Sequence, residues 1–208
     1  MHPNRAFRHV SDDLNIDFTR ERGFGTLTIS GADGPLLSHI PFLLNEAGTA
    51  AELHLVRSNP ITQLARQPVT GVISVTGPDS YVSPDWYGAE DQVPTWNYVA
   101  VHLCGVLHPL PADHLNGLLD RLSAYFENRL FPKTPWTSDK MSDGVMDRMM
   151  RAILPFRFDV QKINGTWKLN QNKPAAVRLA AADHLETYGI GSEIALLSTL
   201  MRGAGEAE

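Results

Sequence analysis

Tyr81-Val-Ser-Pro-Asp-Trp-Tyr87, followed by Val93-Pro-Thr-Trp-Asn-Tyr98 and Val99-Ala-Val-His-Leu-Cys-Gly105, is the stretch from which the rest of the chain is read. It gathers Tyr81, Trp86, Tyr87, Trp96 and Tyr98 into a short window of a chain that is only 8% aromatic. A cluster of this density makes either a packed corner or a wall for a flat ligand, and the two readings can coexist. The alternating β-branched run after it predicts a long half-buried strand from about Tyr98 to Leu107.

Upstream of that window, Ser11 is placed to cap a helix with Leu14 and Phe18 on one face, ended by Gly23. Phe24 to Ser30 alternates as a strand, Gly31-Ala-Asp-Gly34 reads as a turn, and Pro35 to Leu44 returns, giving a hairpin. Ala51 to Val56 is a third strand. Asn59-Pro60 opens a short helix from Ile61 to Arg66, with proline where its missing N–H costs nothing. Val69 to Thr76 is a fourth strand, ended by Gly77-Pro78. Strands in succession, with no helix between most of them, predict a mainly β, antiparallel α+β chain rather than a doubly wound sheet.

Beyond Pro111 the period changes. Leu115, Leu118, Leu119, Leu122 and Phe126 fall at helical spacing and form a core-facing stripe. Phe131 to Trp136 is a proline-stiffened connection. Ser142 to Ile153 reads as a second helix, whose Met146, Met149 and Met150 suit adaptable core better than a metal or cofactor box. Phe156 to Ile163 alternates as a late strand, Asn164-Gly165 reads as a turn, and two helical stretches, Ala175 to Tyr188 and Ser192 to Met201, are separated by Gly189 and Gly191.

Composition narrows the function classes. With 208 residues, 43% hydrophobic, and a net charge of -5, the chain can bury a full core and lacks the general basic surface of a non-specific nucleic-acid binder. The single cysteine, Cys104, excludes an internal disulfide and reads as a buried small hydrophobe. The N-terminus lacks the apolar core of a signal peptide and no window is long enough for a membrane-spanning helix, so a cytoplasmic location is expected. None of the eight histidines forms an HxH or HxxxH pair, although His102 and His108 share a strand face. No metal site is expected. There is no G-x-S-x-G elbow, Walker lysine motif or G-x-G-x-x-G, and no residue is nominated as catalytic. The last two helices carry Arg178 and Arg202 against Asp183, Glu186 and Glu193, the pattern of a solvated face rather than a DNA-recognition helix.

Four blocks carry a resemblance: Gly34-Pro-Leu-Leu-Ser-His-Ile-Pro-Phe42, His54-Leu-Val-Arg-Ser-Asn-Pro60, the Trp-Tyr…Val-Pro-Thr-Trp-Asn-Tyr block from Tyr81 to Tyr98, and Trp167-Lys-Leu-Asn-Gln-Asn-Lys173. In this order they resemble the PaiB family, flavin-mononucleotide-binding proteins described as negative transcriptional regulators. The resemblance implies an FMN-binding split β-barrel related to pyridoxamine-phosphate oxidases. On that reading the chain is one domain, residues 1–208, with a helical insertion at about 112–153 and a helical C-terminal segment at about 174–202. It further implies a homodimer with cofactor sites at the interface.

The residue chemistry fits that implication. A flavin phosphate needs neutralising, and Arg57, Ser58 and Asn59, just before Pro60, offer a bidentate cation, a hydroxyl and helix-terminal N–H groups. Ser38, His39, Ile40 and Pro41 would run beside the isoalloxazine, with hydrogen bonds from strand backbone and side chains to the ring edge. Trp96, Asn97 and Tyr98 would close the ring side from the partner subunit, and Lys168 and Gln171 would meet phosphate or ring oxygens. Two departures stand out: the loop Gly88-Ala-Glu-Asp-Gln92 is short and acidic where many members have a longer one with a lysine, and Asn170 replaces a small hydroxyl residue. Two function classes are open. One is a regulator or flavin sensor, with DNA as a partner that the family description raises and the acidic balance disfavours; the other is an oxidoreductase using FMN as electron carrier.

Overall fold

The computed structural model describes residues 2–142 and 144–205, and its first helix begins where the capping serine allows. Ser11 Oγ accepts from the Leu14 N–H at 3.2 Å, and α1 runs Asp12–Arg22. Gly23 ends it at φ +54, a left-handed value that glycine takes without Cβ strain. The buried stripe of α1 differs from the expected one. Phe18 is buried as expected, but Leu14 is 43% exposed, and Asn15 and Thr19 go inward in its place.

The strands are β1 (Phe24–Gly31), β2 (Gly34–Leu44), β3 (Ala50–Val56), β4 (Val69–Val82), β5 (Thr95–Pro109), β6 (Ile153–Lys168) and the two-residue β7 (Gly191–Ser192). The helices after α1 are α2 (Pro60–Leu64), α3 (His114–Glu127), α4 (Val145–Met150), α5 (Ala175–Tyr188) and α6 (Ile194–Gly203). The sheet order is β1-β2-β3-β6-β5-β4-β7, with an additional β1–β4 pairing that brings the order back on itself. The β1–β2 hairpin is antiparallel from Phe24↔Pro41 to Gly31↔Gly34, and the β1–β4 ladder is antiparallel from Thr26↔Ser74 to Ile29↔Gly71. This α+β architecture with a split β-barrel is the expected fold class.

Three glycine or proline signals mean something other than a stop. β4 continues through Gly77-Pro78 to Val82: its burial alternation simply changes phase there, with both residues buried, as at a bulge. β6 continues through Asn164-Gly165 to Lys168 with no turn. A Cβ on Gly165 would lie 2.0 Å from Asn15 Oδ1, so this glycine serves a close approach. Gly105 likewise lies where a Cβ would stand 2.0 Å from the Asp159 carbonyl oxygen.

Two other expectations need correcting. The helix expected from Ser142 to Ile153 contracts to α4, because Ile153 is taken by β6 and pairs with Val56. No residue of α4 is buried, so its methionines are not core. Cys104 is only partly buried, since it sits on the less buried face of β5. The α3 stripe holds, with Leu115, Leu118 and Leu122 buried.

The chain forms two compact units. One comprises the described residues of 1–15, 75–102 and 164–208; the other comprises 16–74 and 103–163. In the first, Arg178 donates through Nε to the Met201 carbonyl at 2.8 Å and Ser198 Oγ to the Ala182 carbonyl at 2.9 Å, clasping α5 to α6. In the second, Leu27, Ile29, Phe42, Leu53, Phe156 and Phe158 are among the core residues with at most 1% exposure. No described helix is long and apolar enough to cross a membrane.

Because the obstruction at Gly105 is backbone, it cannot rotate away. Gly105→Ala is expected to lower stability by about 2–3 kcal/mol through forced strand displacement, read as a fall in the urea midpoint. An unchanged midpoint would mean the β5 and β6 backbones can part without cost.

Candidate functional site

Within residues 16–74 and 103–163, β2 has one edge paired with β1 from Gly34 to Pro41, whereas β3 meets its other edge only at Phe42, Leu43 and Leu44. Ser38 to Pro41 therefore keep an edge with no strand partner among the described residues. Period two sorts their side chains: Ile40 is buried at 1%, so it offers a ligand only its backbone, while His39 is exposed. His39 Nδ1 lies 3.0 Å from Thr26 Oγ1 and its ring stacks beside Phe24 at 6.4 Å.

The loop after β3 lies against this edge. Asn59 Nδ2 donates to Ser38 Oγ at 2.9 Å, and Asn59 Oδ1 accepts from the Ile61 N–H at 3.0 Å, capping α2. Thr62 Oγ1 reaches back to the Arg57 and Asn59 carbonyls. Arg57 is tied down from another quarter: its N–H donates to the Ala152 carbonyl at 2.9 Å and its Nε to the Arg151 carbonyl at 2.6 Å. The side chain is exposed, and its two terminal amino groups stay free to fork onto an oxyanion. Asn59 thus ties Ser38 to the loop that carries Arg57, and Ser58 of that loop is exposed. The helix-terminal N–H groups contribute less than expected, since Asn59 occupies that of Ile61 and the Asn59 carbonyl that of Thr62.

Within residues 1–15, 75–102 and 164–208, the aromatic window divides. Tyr87 is buried at 1%, and Trp86 stacks on His184 of α5, which stacks in turn on Tyr188. These make the packed corner. Trp96 stays 49% exposed, edge-on to Tyr81 at 6.3 Å, and Tyr98 lies on the same strand face. Asn97, between them, points inward: it is fully buried and donates from Nδ2 to Met201 Sδ at 3.3 Å.

Lys168 donates to Thr95 Oγ1 and lies over the Phe7 ring. Gln171 closes its own loop, donating to the Trp167 carbonyl and accepting from the Leu169 N–H at 2.8 Å. Trp167 is an anchor, its Nε1 donating to Asn15 Oδ1 at 3.0 Å. Asn170 has φ +62, a conformation asparagine tolerates, and its Nδ2 reaches the buried Tyr87 hydroxyl at 3.4 Å. The short acidic loop does gain a lysine, from later in the chain: Lys173 Nζ donates to Gln92 and sits 4.4 Å from the Tyr87 ring centroid. Thr26, Thr95, Lys173 and the Arg151 carbonyl were not legible as site components, because their partners lie 13 to 94 residues away.

Partial burial, then repulsion from Lys173, pushes Lys168 below the ordinary lysine value of 10.5. A depressed lysine opposes folding while it is charged, and that penalty fades as pH rises through the folded-state value toward 10.5. Relative to Lys168→Met, the wild type should therefore gain stability as pH rises toward 10.5, read from urea midpoints. Parallel profiles for the two proteins would show that the ammonium is freely solvated.

Comparison with known proteins gives these features a family. Residues 1–162 match the family described as "Putative FMN-binding domain", a stretch that includes parts of both units. "Protease synthase and sporulation protein PAI 2" of Bacillus subtilis (strain 168) is 29% identical over 175 residues, 83% of each chain. The FAD and heme binding protein from Mycobacterium smegmatis has the same fold with a TM-score of 0.56 at 17% identity, over 78% of this chain and 73% of that one. The flavocytochrome Anf3 from Azotobacter vinelandii gives 0.55 at 9% identity, over 80% of this chain and 72% of that one. The chain belongs to the FMN-binding domain family of the first match, and it is a flavin-binding protein built on a split β-barrel.

Proposed function

We propose that this protein binds FMN as a homodimer and acts as a flavin-responsive regulatory protein. The observation that carries the reading is the unpaired β2 edge at Ser38 to Pro41 beside Arg57, whose guanidinium is anchored through Nε and free at its fork. Arg57 holds the phosphate, Ser58 and Asn59 flank it, and the strand backbone at Ser38 to Pro41 meets the polar edge of the ring. When bound, the flavin supplies the redox chemistry. His39 faces the ring side, positioned by Thr26.

The dimer is supported by apolar surface that a monomer leaves wet. Phe24 and Leu37 share a face of the hairpin and are 55% and 62% exposed, and Trp96 and Val93 are 49% and 73% exposed. Trp96, Tyr98 and Lys168 are the groups each subunit lends to its partner's ligand; Asn97 and Gln171 act as their local supports. The regulatory reading leans on the sporulation-named relative. A net charge of -5 argues for an indirect effect on transcription rather than direct DNA contact.

Light scattering is expected to return a dimer at micromolar concentration; a monomer there would remove the shared site. Arg57→Ala should weaken FMN by roughly 1.5–3 kcal/mol, the worth of one charge-assisted contact, and leave riboflavin unchanged. Its folding stability should move by no more than about 0.5 kcal/mol. Calorimetric titration of both ligands into both proteins decides, and equal weakening of the two would mean damage to the ring site instead. Sustained NADPH oxidation by the FMN-loaded dimer would place the protein among flavin-dependent oxidoreductases and displace the regulatory reading.

A further inference from the structure

A second concavity, of about 410 Å³, lies in the unit formed by residues 16–74 and 103–163 and involves none of the flavin candidates. Arg20 of α1, Arg121 of α3 and Arg157 of β6 converge on it, with Glu52 of β3 as the only carboxylate of the lining among the described residues. Three guanidiniums from three separate elements thus line one cavity of a chain whose net charge is -5. Like charges so placed repel, and an anion between them relieves the repulsion.

The existing partners leave capacity for one. Arg121 donates to Glu52 through Nη2 at 2.7 Å, and Arg157 donates through Nε to Asp159 at 2.6 Å, a carboxylate that also faces His108 at 3.3 Å. Both arginine side chains are just over half exposed, so their other N–H groups remain available. Arg20 is held most weakly, 4.0 Å from a Glu46 that is 92% exposed, and its Nε is buried with no hydrogen-bond partner. Leu43 and Ala50, both part-exposed, supply apolar lining, and Tyr125 fixes the α1 end by donating its hydroxyl proton to the Arg20 carbonyl at 2.6 Å.

We propose that this pocket is a binding site for a small organic oxyanion, a carboxylate or phosphate group on an apolar body, separate from the site of the flavin phosphate. The arginine forks take the oxyanion and the part-exposed Leu43 and Ala50 take the body.

Calorimetric titration with benzoate, phenyl phosphate and inorganic phosphate tests this. One of the two aromatic anions is expected to bind more tightly than inorganic phosphate, and the stronger of the two identifies the head group. Arg121→Gln and Arg157→Gln should each weaken it about tenfold, the loss of one charge-assisted contact. Glu52→Gln should tighten it, because it frees Arg121, so the two directions of charge change give opposite signs in variants whose folding can be checked separately. Arg148→Gln, an exposed charge on α4, and Arg57→Ala should leave it unchanged; the latter keeps this result independent of the phosphate assignment at Arg57. Three outcomes overturn the proposal: no binding at millimolar anion, equal loss in Arg148→Gln and Arg121→Gln, or displacement of the bound anion by FMN, which would move the flavin's own phosphate into this pocket.

Discussion

β1 pairs on both sides at once, with β2 along its whole length and with β4 over four residues, and the rest of the sheet is constrained by this double pairing. It commits one edge of β2 from Gly34 to Pro41. β3 then reaches the other edge for only three residues before turning away to pair with β6 from Ala50 to Val56. Buried backbone groups need partners and exposed strand edges invite unwanted ones, so an edge left open in the middle of a barrel strand has to be covered. The Asn59 side chain covers part of it through Ser38, and a flavin ring edge, with its row of acceptors and one donor, is of the right chemistry to cover the rest.

The same arrangement explains how an exposed arginine becomes a fixed one. A long cation on a loop loses side-chain entropy when it grips a ligand, which reduces its net worth. Arg57 has already lost much of that freedom, since the carbonyls of Arg151 and Ala152 hold its Nε and its backbone. Those carbonyls lie just ahead of β6, at the end of the helical excursion that α3 and α4 make between β5 and β6. The excursion is therefore a brace for the loop after β3. The other unit shows a comparable economy: Asn15 takes the Trp167 indole N–H, Gly165 makes room for the Asn15 side chain, and Lys168 on the same strand is directed to Thr95.

Much of the fold was legible in local periodicity. The β1–β2 hairpin, the α3 stripe, the Ser11 and Asn59 caps and the long alternating run of β5 all depend on residues within one or two turns of each other, and they stand as expected. The four motif blocks were likewise enough to identify a flavin-binding split barrel. The misreadings share a cause. Gly77-Pro78 and Asn164-Gly165 have the local signature of turns, and α4 has an apolar pattern long enough for a longer helix. In each case a contact with a distant segment decides. Gly165 answers to a side chain 150 positions earlier, and Ile153 belongs to a ladder with Val56.

By itself, then, the sequence determined which stretches are strands and helices, which face of most of them is apolar, and which family's motifs they carry. Only the tertiary structure decided that Asn97 turns inward while Trp96 and Tyr98 do not, that Ile40 offers backbone and His39 a side chain, and that three arginines far apart in the chain share one cavity. The reason is physical: periodicities of 2.0 and 3.6 residues are written into neighbouring positions, whereas strand pairing and charge convergence depend on which distant segments the closed sheet brings side by side.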